Sequence, residues 1–258
     1  MRKVFTVIAA LAVNAAAFAQ TIDFKMDYKQ NSTYTQKMDM DVMMDIGQEG
    51  QGNMEQPLAM AFIYTIKTDK AAANGDIPFT ANMKMENDMM PNAEEFNNNK
   101  FVGHFSKGAP VFDKVEMASV PAEAQEQLKE AFSKVLSQFP TEAKKVKVGE
   151  SFTYNNLPVS MGGMDFGGKD MVITYTLKKV EGNKATFDVL LDSPLEVSTQ
   201  GVNMKGKMKM TGTMIYLTDA KYVPSQDLDI DATFSMAEAG VTVGMKGKTI
   251  MTTTVAPN

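Results

Sequence analysis

The sequence predicts a mainly β protein. Two curved antiparallel sheets would form a half-open barrel or clam around a central amphipathic helix. Three observations lead there. Long stretches alternate apolar and polar residues with a period of two. Turn pairs such as Asn74-Gly75 separate them. One segment, 121–139, has helical spacing instead.

The stretch KMDMDVMMD, residues 37–45, shows the alternation at its clearest. Tyr34, Gln36, Met38, Met40, Val42, Met44 and Ile46 share one parity, and Thr35, Lys37, Asp39, Asp41 and Asp45 share the other. Successive side chains of a strand point to opposite faces, so methionine faces inward and acid outward. Met43 is the one defect. Leu58, Met60, Phe62, Tyr64 and Ile66 predict a second strand, and Ile77, Phe79, Ala81, Met83 and Met85 a third. Met204, Met208 and Met210 alternate with Lys205, Lys207 and Lys209. Val241, Val243 and Met245 predict a last hairpin, closing through Gly247 into Thr249–Val255.

Leu128, Phe132, Val135, Leu136 and Phe139 make the apolar stripe of the helix, which Pro140 ends. Ser119 is placed to cap its start. The helix divides two similar halves, 20–118 and 146–258, of one domain. Ile63-Tyr64-Thr65-Ile66-Lys67 matches Thr174-Tyr175-Thr176-Leu177-Lys178, and Gly103-His104-Phe105 matches Gly212-Thr213-Met214. Tyrosine to glycine spans 103 − 64 = 39 residues in the first half and 212 − 175 = 37 in the second. This is the mark of an internal duplication. Gly47–Gln56, Met161–Lys169 and Pro91–Lys100 read as polar, mobile loops.

Residues 1–19 have the form of a secretory signal peptide. Arg2 and Lys3 precede an apolar run too short to span a bilayer, and Ala17-Phe18-Ala19 offers a cleavage site before Gln20. Cleavage would remove two cations and move the net charge from −5 to −5 − 2 = −7. No cysteine follows, so the expectation is a protein of the periplasm or exterior that is not lipid-anchored and has no transmembrane segment. Arg2 is the only arginine, and an acidic, arginine-free chain is a poor nucleic-acid binder. The absence of cysteine removes thiol nucleophiles and Cys/His zinc sites, and a Ser-His-Asp triad could use only His104 as its base. No enzyme activity and no cofactor are implied.

Several pieces together resemble a known family. They are the strands TYTQKMDMDV and VNMKGKMKMTGTM, the GHFSKGAPV hairpin, the segment QLKEAFSKVLSQFP and the following KVKVGESFTYN. The chain resembles an uncharacterised family of exported Bacteroidetes proteins, a domain of unknown function. The resemblance covers nearly the whole mature chain. It implies an exported location and this shape, and it carries over no catalytic residues. Many such relatives look like lipoproteins, and this sequence lacks their lipid-bearing cysteine.

The methionines, 23 − 1 = 22 after cleavage, have three readings. They fill a packed sheet interior, as unbranched side chains suit. They line a cavity for an apolar ligand or lipid, with Met38, Met40, Met60, Met83, Met85, Met208 and Met210 as its walls. Or loop methionines, Met161 and Met164 with Met171, or Met89-Met90, hold Cu(I) or Ag(I). A protein partner is not identified. Asp39, Asp41 and Asp45, like the lysines at 205, 207 and 209, read as solvated outer faces. Asp23, Asp27 and Asp45 have no evident partners. His104 reads as a strand residue without an orienting group for catalysis.

Overall fold

In the computed structural model the described residues are 20–48, 52–86, 97–117, 125–126, 129, 132–133, 136–137, 139–155, 160–161, 164–165, 171–199, 202–236 and 240–258. Most of them are in strands. The chain starts with β1 (Thr21–Phe24). A meander follows through β2 (Ser32–Gln48), β3 (Met54–Thr68), β4 (Ile77–Glu86), β5 (Lys100–Ser106) and β6 (Ala109–Glu116). Then come β7 (Lys144–Lys147), β8 (Ser151–Asn155) and the short β9 (Ser160–Met161) and β10 (Met164–Asp165). A second meander runs through β11 (Val172–Glu181), β12 (Lys184–Thr199), β13 (Val202–Leu217), β14 (Tyr222–Met236) and β15 (Val241–Pro257).

Strands of both halves share one antiparallel, eleven-stranded sheet, ordered β6-β5-β4-β3-β2-β15-β14-β13-β12-β11-β8. The first meander runs outward from the middle and the second runs back to it. They join where β2 pairs β15, from Gln48 opposite Val241 to Ser32 opposite Pro257. Strands β6 and β8 end the sheet and do not pair with each other, so the barrel is not closed. The strands that open the halves, β1 and β7, form a separate ribbon with Ile22 opposite Val146.

Period two decides which face is which. In β2, Tyr34, Met40 and Val42 are buried while Asp41, Met43 and Asp45 are exposed. On the outer face, charge alternates from strand to strand. Asp41 of β2 lies opposite Lys248 of β15, which lies opposite Asp229 of β14. One row along, Lys246 faces Asp231, Asp231 faces Lys209, and Lys209 faces Asp192 of β12. Lys248–Asp227 at 3.0 Å and Lys246–Asp231 at 3.8 Å close as ion pairs. Each exposed pair stabilises by less than about 1 kcal/mol. Their collective effect is on register, because a slip of one residue would turn every charge inward.

Glycine bends the sheet. At Gly103, Gly206, Gly212 and Gly247 an added Cβ would collide with a backbone carbonyl oxygen of the neighbouring strand, that of Val111, Thr233, Asp227 and Asp41 respectively. All four share the buried parity of their strands. Such close approach marks corners of a coiled sheet. Gly247 is therefore not the closing turn that a hairpin over Val241–Val255 would need. It sits inside the continuous strand β15.

Two clusters fill the inner face. In the second half Phe24 of β1 is fully buried and meets Phe139, Phe152, Tyr175, Phe187 and Tyr216, with ring centroids 4.7–6.4 Å away. The Tyr216 hydroxyl donates to the Lys25 carbonyl at 2.8 Å, which ties down the end of β1. In the first half Tyr34, Tyr64, Ile66, Phe79, Phe101 and Phe105 pack with Phe132 and Leu136. The central helix expected over 121–139 is not found as an element. Only scattered residues of that segment are described, among them Gln125, Lys129, Phe132 and Leu136 with helical backbone. Residues 1–19 lie outside the described residues.

Replacing Gly212 with alanine should destabilise the protein by about 1–3 kcal/mol, since backbone rather than a movable side chain blocks the new methyl. Gly52→Ala, where a Cβ meets nothing within 4 Å, is the control and should leave the melting temperature unchanged. Thermal melts followed by circular dichroism measure both.

Candidate functional site

The candidate site is the middle of the inner face. Its rows follow from strand register. One runs Met251, Met38, Phe62 and Met85, each opposite the next on β15, β2, β3 and β4. The next runs Leu228, Thr249, Met40 and Met60. A third runs Met210, Ile230, Gly247, Val42 and Leu58. A fourth holds Met208, Ala232, Met245 and Met44.

The seven methionines predicted to line a cavity divide by burial. Met208 and Met40 are sealed, at 1% and 4% exposure. Met38, Met60, Met83, Met85 and Met210 are half-buried. Met60 and Met210 lean on the second-half cluster and Met83 on the first-half one. Phe62, Leu58 and Met44 share their half-buried state. These three belong with the site and were not singled out from sequence. Their signal was present, since they lie on the same parity as Met60 and Met38, but pairing β2 with β3 and β15 was needed to bring them together.

Asparagine side chains hold the far end of this face. Beyond Ala81 the backbone of β4 has no strand partner on its β5 side among the described residues. There the Asn99 amide receives a hydrogen bond from Met83 N at 2.9 Å and donates to Met83 O at 2.6 Å. Asn97 does the same for Met85, at 2.7 and 3.1 Å. Two side-chain amides thus take the place of a neighbouring strand's peptide groups and fix Met83 and Met85. Residues 97–100 of the expected mobile loop 91–100 therefore have a defined structural task.

The inner face is neutral. Among the described residues of β2, β3, β4 and β12 to β15, the polar side chains on it are Ser, Thr, Gln and Tyr, and the charged ones lie on the other parity. Gln36 donates its amide to the Met251 sulfur. Thr249 is 7% exposed, and its hydroxyl is the one buried polar side-chain atom among the described residues without a partner. A cavity of about 20 Å³ lies at the junction of the halves, lined by Tyr28, Tyr34, Gln36, Phe139, Tyr222 and Met251 among others. That holds about one water molecule. Beside it Tyr28 stacks on Phe105 at 3.9 Å, and the Tyr34 hydroxyl accepts a bond from Lys29 N at 2.6 Å. Burial raises the Tyr28 and Tyr175 hydroxyls above their ordinary range and pushes Tyr64 up to about 12.

Other candidates are weaker. His104 lies 3.1 Å from Asp113 across β5 and β6, a partner that the sequence did not reveal. Asp27 also has partners after all, Lys25 and Lys221, each at 3.7 Å. Asp45 accepts from Asn53 at 3.2 Å. Met161 is paired with Met164 in the register of the β9–β10 ribbon, while Met171 is fully buried in the core. Met89 and Met90 lie outside the described residues. On the outer face an open groove of about 860 Å³ runs along Asp45, Glu55, Thr233, Thr242 and Lys246. Among the described residues no three His, Asp or Glu side chains gather as metal ligands.

A family of unknown function, DUF6263, matches residues 122–222, less than half of the chain. No curated protein sequence matches. Among solved structures, one reported for lipid–protein interactions in lipovitellin has a TM-score of 0.45 at 9% identity, covering 90% of this chain and 26% of the lipovitellin chain. The chain thus spans about a quarter of that protein. Ail, the attachment invasion locus protein of Yersinia pestis, has a TM-score of 0.24 at 6% identity, over 88% of this chain and 100% of its own. A LolA-superfamily protein of Nitrosomonas europaea has 0.14 at 8% identity, over 90% and 89%. Likenesses this distant carry no weight for function.

Two outcomes follow from the site's geometry. Met208→Ala should cost about 2–5 kcal/mol, as for a sealed core side chain, while Met85→Ala should cost less than about 1 kcal/mol. Urea denaturation separates the two. Tyr64 is neutral in the fold, and its raised folded pKa makes its contribution full below the unfolded value near pH 10. That contribution is lost as pH rises through about 12. In Tyr64→Phe the loss of stability between those values should be shallower by up to one proton equivalent, read from melts across alkaline pH.

Proposed function

We propose that this chain is a non-catalytic binding or carrier protein of the cell envelope that holds an apolar ligand on its inner face. The observation that supports this is the run of half-buried apolar side chains, Met38, Met60, Phe62, Met83, Met85 and Met210, across adjacent strands of an open sheet. A packed interior would seal them. Each Å² of apolar surface removed from water contributes about 25 cal/mol, and the thioether side chain adapts its shape to varied partners. Export through residues 1–19 and a mature start at Gln20 belong to this proposal, as does membership of the exported Bacteroidetes group. So does descent of halves 20–118 and 146–258 from one unit. In its favour, β1 and β7 open the halves and pair together, and Gly103 and Gly212 stand at corresponding bends.

A second reading has its own support. The aromatic clusters are filled, and the cavity at their junction, about 20 Å³, admits no lipid. A filled module would act through a partner strand at β6 or β8 instead.

Native mass spectrometry of the mature protein, purified gently from its own envelope, tests the two. The carrier reading expects a co-purifying lipid-sized mass and saturable binding of the neutral dye Nile red. Met85→Asp should weaken that binding at least tenfold with the melt little changed. A bare mass and no dye binding would sink the carrier reading and leave the structural one.

A further inference from the structure

We infer that the ligand of the inner face is uncharged and carries one hydrogen-bonding group, of the class of a long-chain alcohol, ester or sterol, which meets the Thr249 hydroxyl. This rests on the proposed binding role and adds its specificity.

Charge is the first ground. The outer face carries the Asp and Lys rows, while the described inner-face residues of β2 to β4 and β12 to β15 include no Lys, Asp or Glu. Arg2 is the sole arginine of the whole sequence, so with residues 1–19 removed, as proposed, the chain carries no guanidinium. A carboxylate or phosphate laid on such a face would leave water without a cation to replace it, which is strongly unfavourable. A neutral chain loses little.

Thr249 is the second ground. It lies between Leu228 and Met40, both buried, and its hydroxyl has no partner among the described residues. A buried hydroxyl left unpaired is disfavoured, so buried polar groups are nearly always bonded. The other inner-face groups nearby do not supply the bond, since the Gln36 amide is directed to the Met251 sulfur. Met38 lies diagonal to Thr249 on β2 and Met60 lies one strand further on, beyond Met40; both are half-buried, and an apolar tail would lie along them. A ligand hydroxyl or ester carbonyl completes Thr249 without bringing charge.

The test displaces Nile red from the mature protein at pH 8 with three probes of equal chain length: dodecan-1-ol, methyl dodecanoate and dodecanoate. The expected result is that both neutral probes displace the dye at concentrations at least tenfold lower than the anion. Thr249→Val keeps the shape of the side chain and removes the hydroxyl. It should weaken dodecan-1-ol about threefold to tenfold, read as an inhibition constant corrected for the variant's own Nile red affinity. Dodecanoate binding as tightly as the alcohol would overturn the neutral class. An alcohol affinity unchanged by Thr249→Val would overturn the anchor. If Nile red and all three probes fail to bind, the binding role itself falls and this inference with it.

Discussion

Alternation of side chains across a strand is the constraint on which the rest of this molecule depends. It separates a neutral face from a charged one along strands of up to 17 residues. A sheet of eleven such strands could pair in many registers. Apolar burial forbids slips of one residue, since these exchange the faces. Slips of two keep the faces and still set acid against lysine, because like charges repeat along each strand: Asp227, Asp229 and Asp231 on β14 stand among Lys205, Lys207 and Lys209 on β13 and Lys246 and Lys248 on β15. Each contact contributes little, and the alternation of sign favours the choice of neighbouring strand rather than one register over the next.

A flat sheet would bury only part of its apolar face. The bends at Gly103, Gly206, Gly212 and Gly247 bring that face round on itself, and their lack of a Cβ is what lets the backbones approach. Packing then divides. Phe24 reaches from the chain's first strand into the second half, so residues of the first half complete the core of the other. Phe132 and Leu136 complete the first-half cluster. Methionines continue the second-half cluster: Met40, Met208, Met245 and Met251 are buried in it, while Met38, Met60, Met85 and Met210 are half-buried. Longer, softer thioethers beside rigid rings suit the proposed accommodation of a guest.

Much of this was legible in the sequence. The parity of Tyr34 to Ile46 gave β2 its inner and outer faces, and Gly75, Lys107 and Gly108 adopt the positive φ that their turns need. What was not legible depends on contacts far apart in the chain. TIDF is too short for periodicity to identify as a strand, and its place follows only from β7 and the rings around Phe24. Gly247 read as a turn because glycine suits both turns and close approaches, and only the neighbouring Asp41 backbone decides between them. Asn97 and Asn99 read as loop composition, yet their spacing of two matches that of Met85 and Met83. The likeness of the halves suggested two sheets about a helix. The pairing of β2 with β15 instead makes their strands continuous.

The composition of the site argues against an anion and for adaptability at once. Arginine and lysine are the residues that fix a carboxylate or phosphate by geometry, and with them absent from the inner face, selection must come from shape and desolvation. Methionine relaxes the demand on shape. Desolvation then remains as the discriminating term, and it acts on charge more strongly than on chain length or branching. A face built this way would hold many neutral apolar molecules with modest preference and reject their ionised counterparts. That contrast is what the proposed role predicts of this sheet, and it would arise from the same alternation that keeps the described aspartates and lysines of the central strands on the other side.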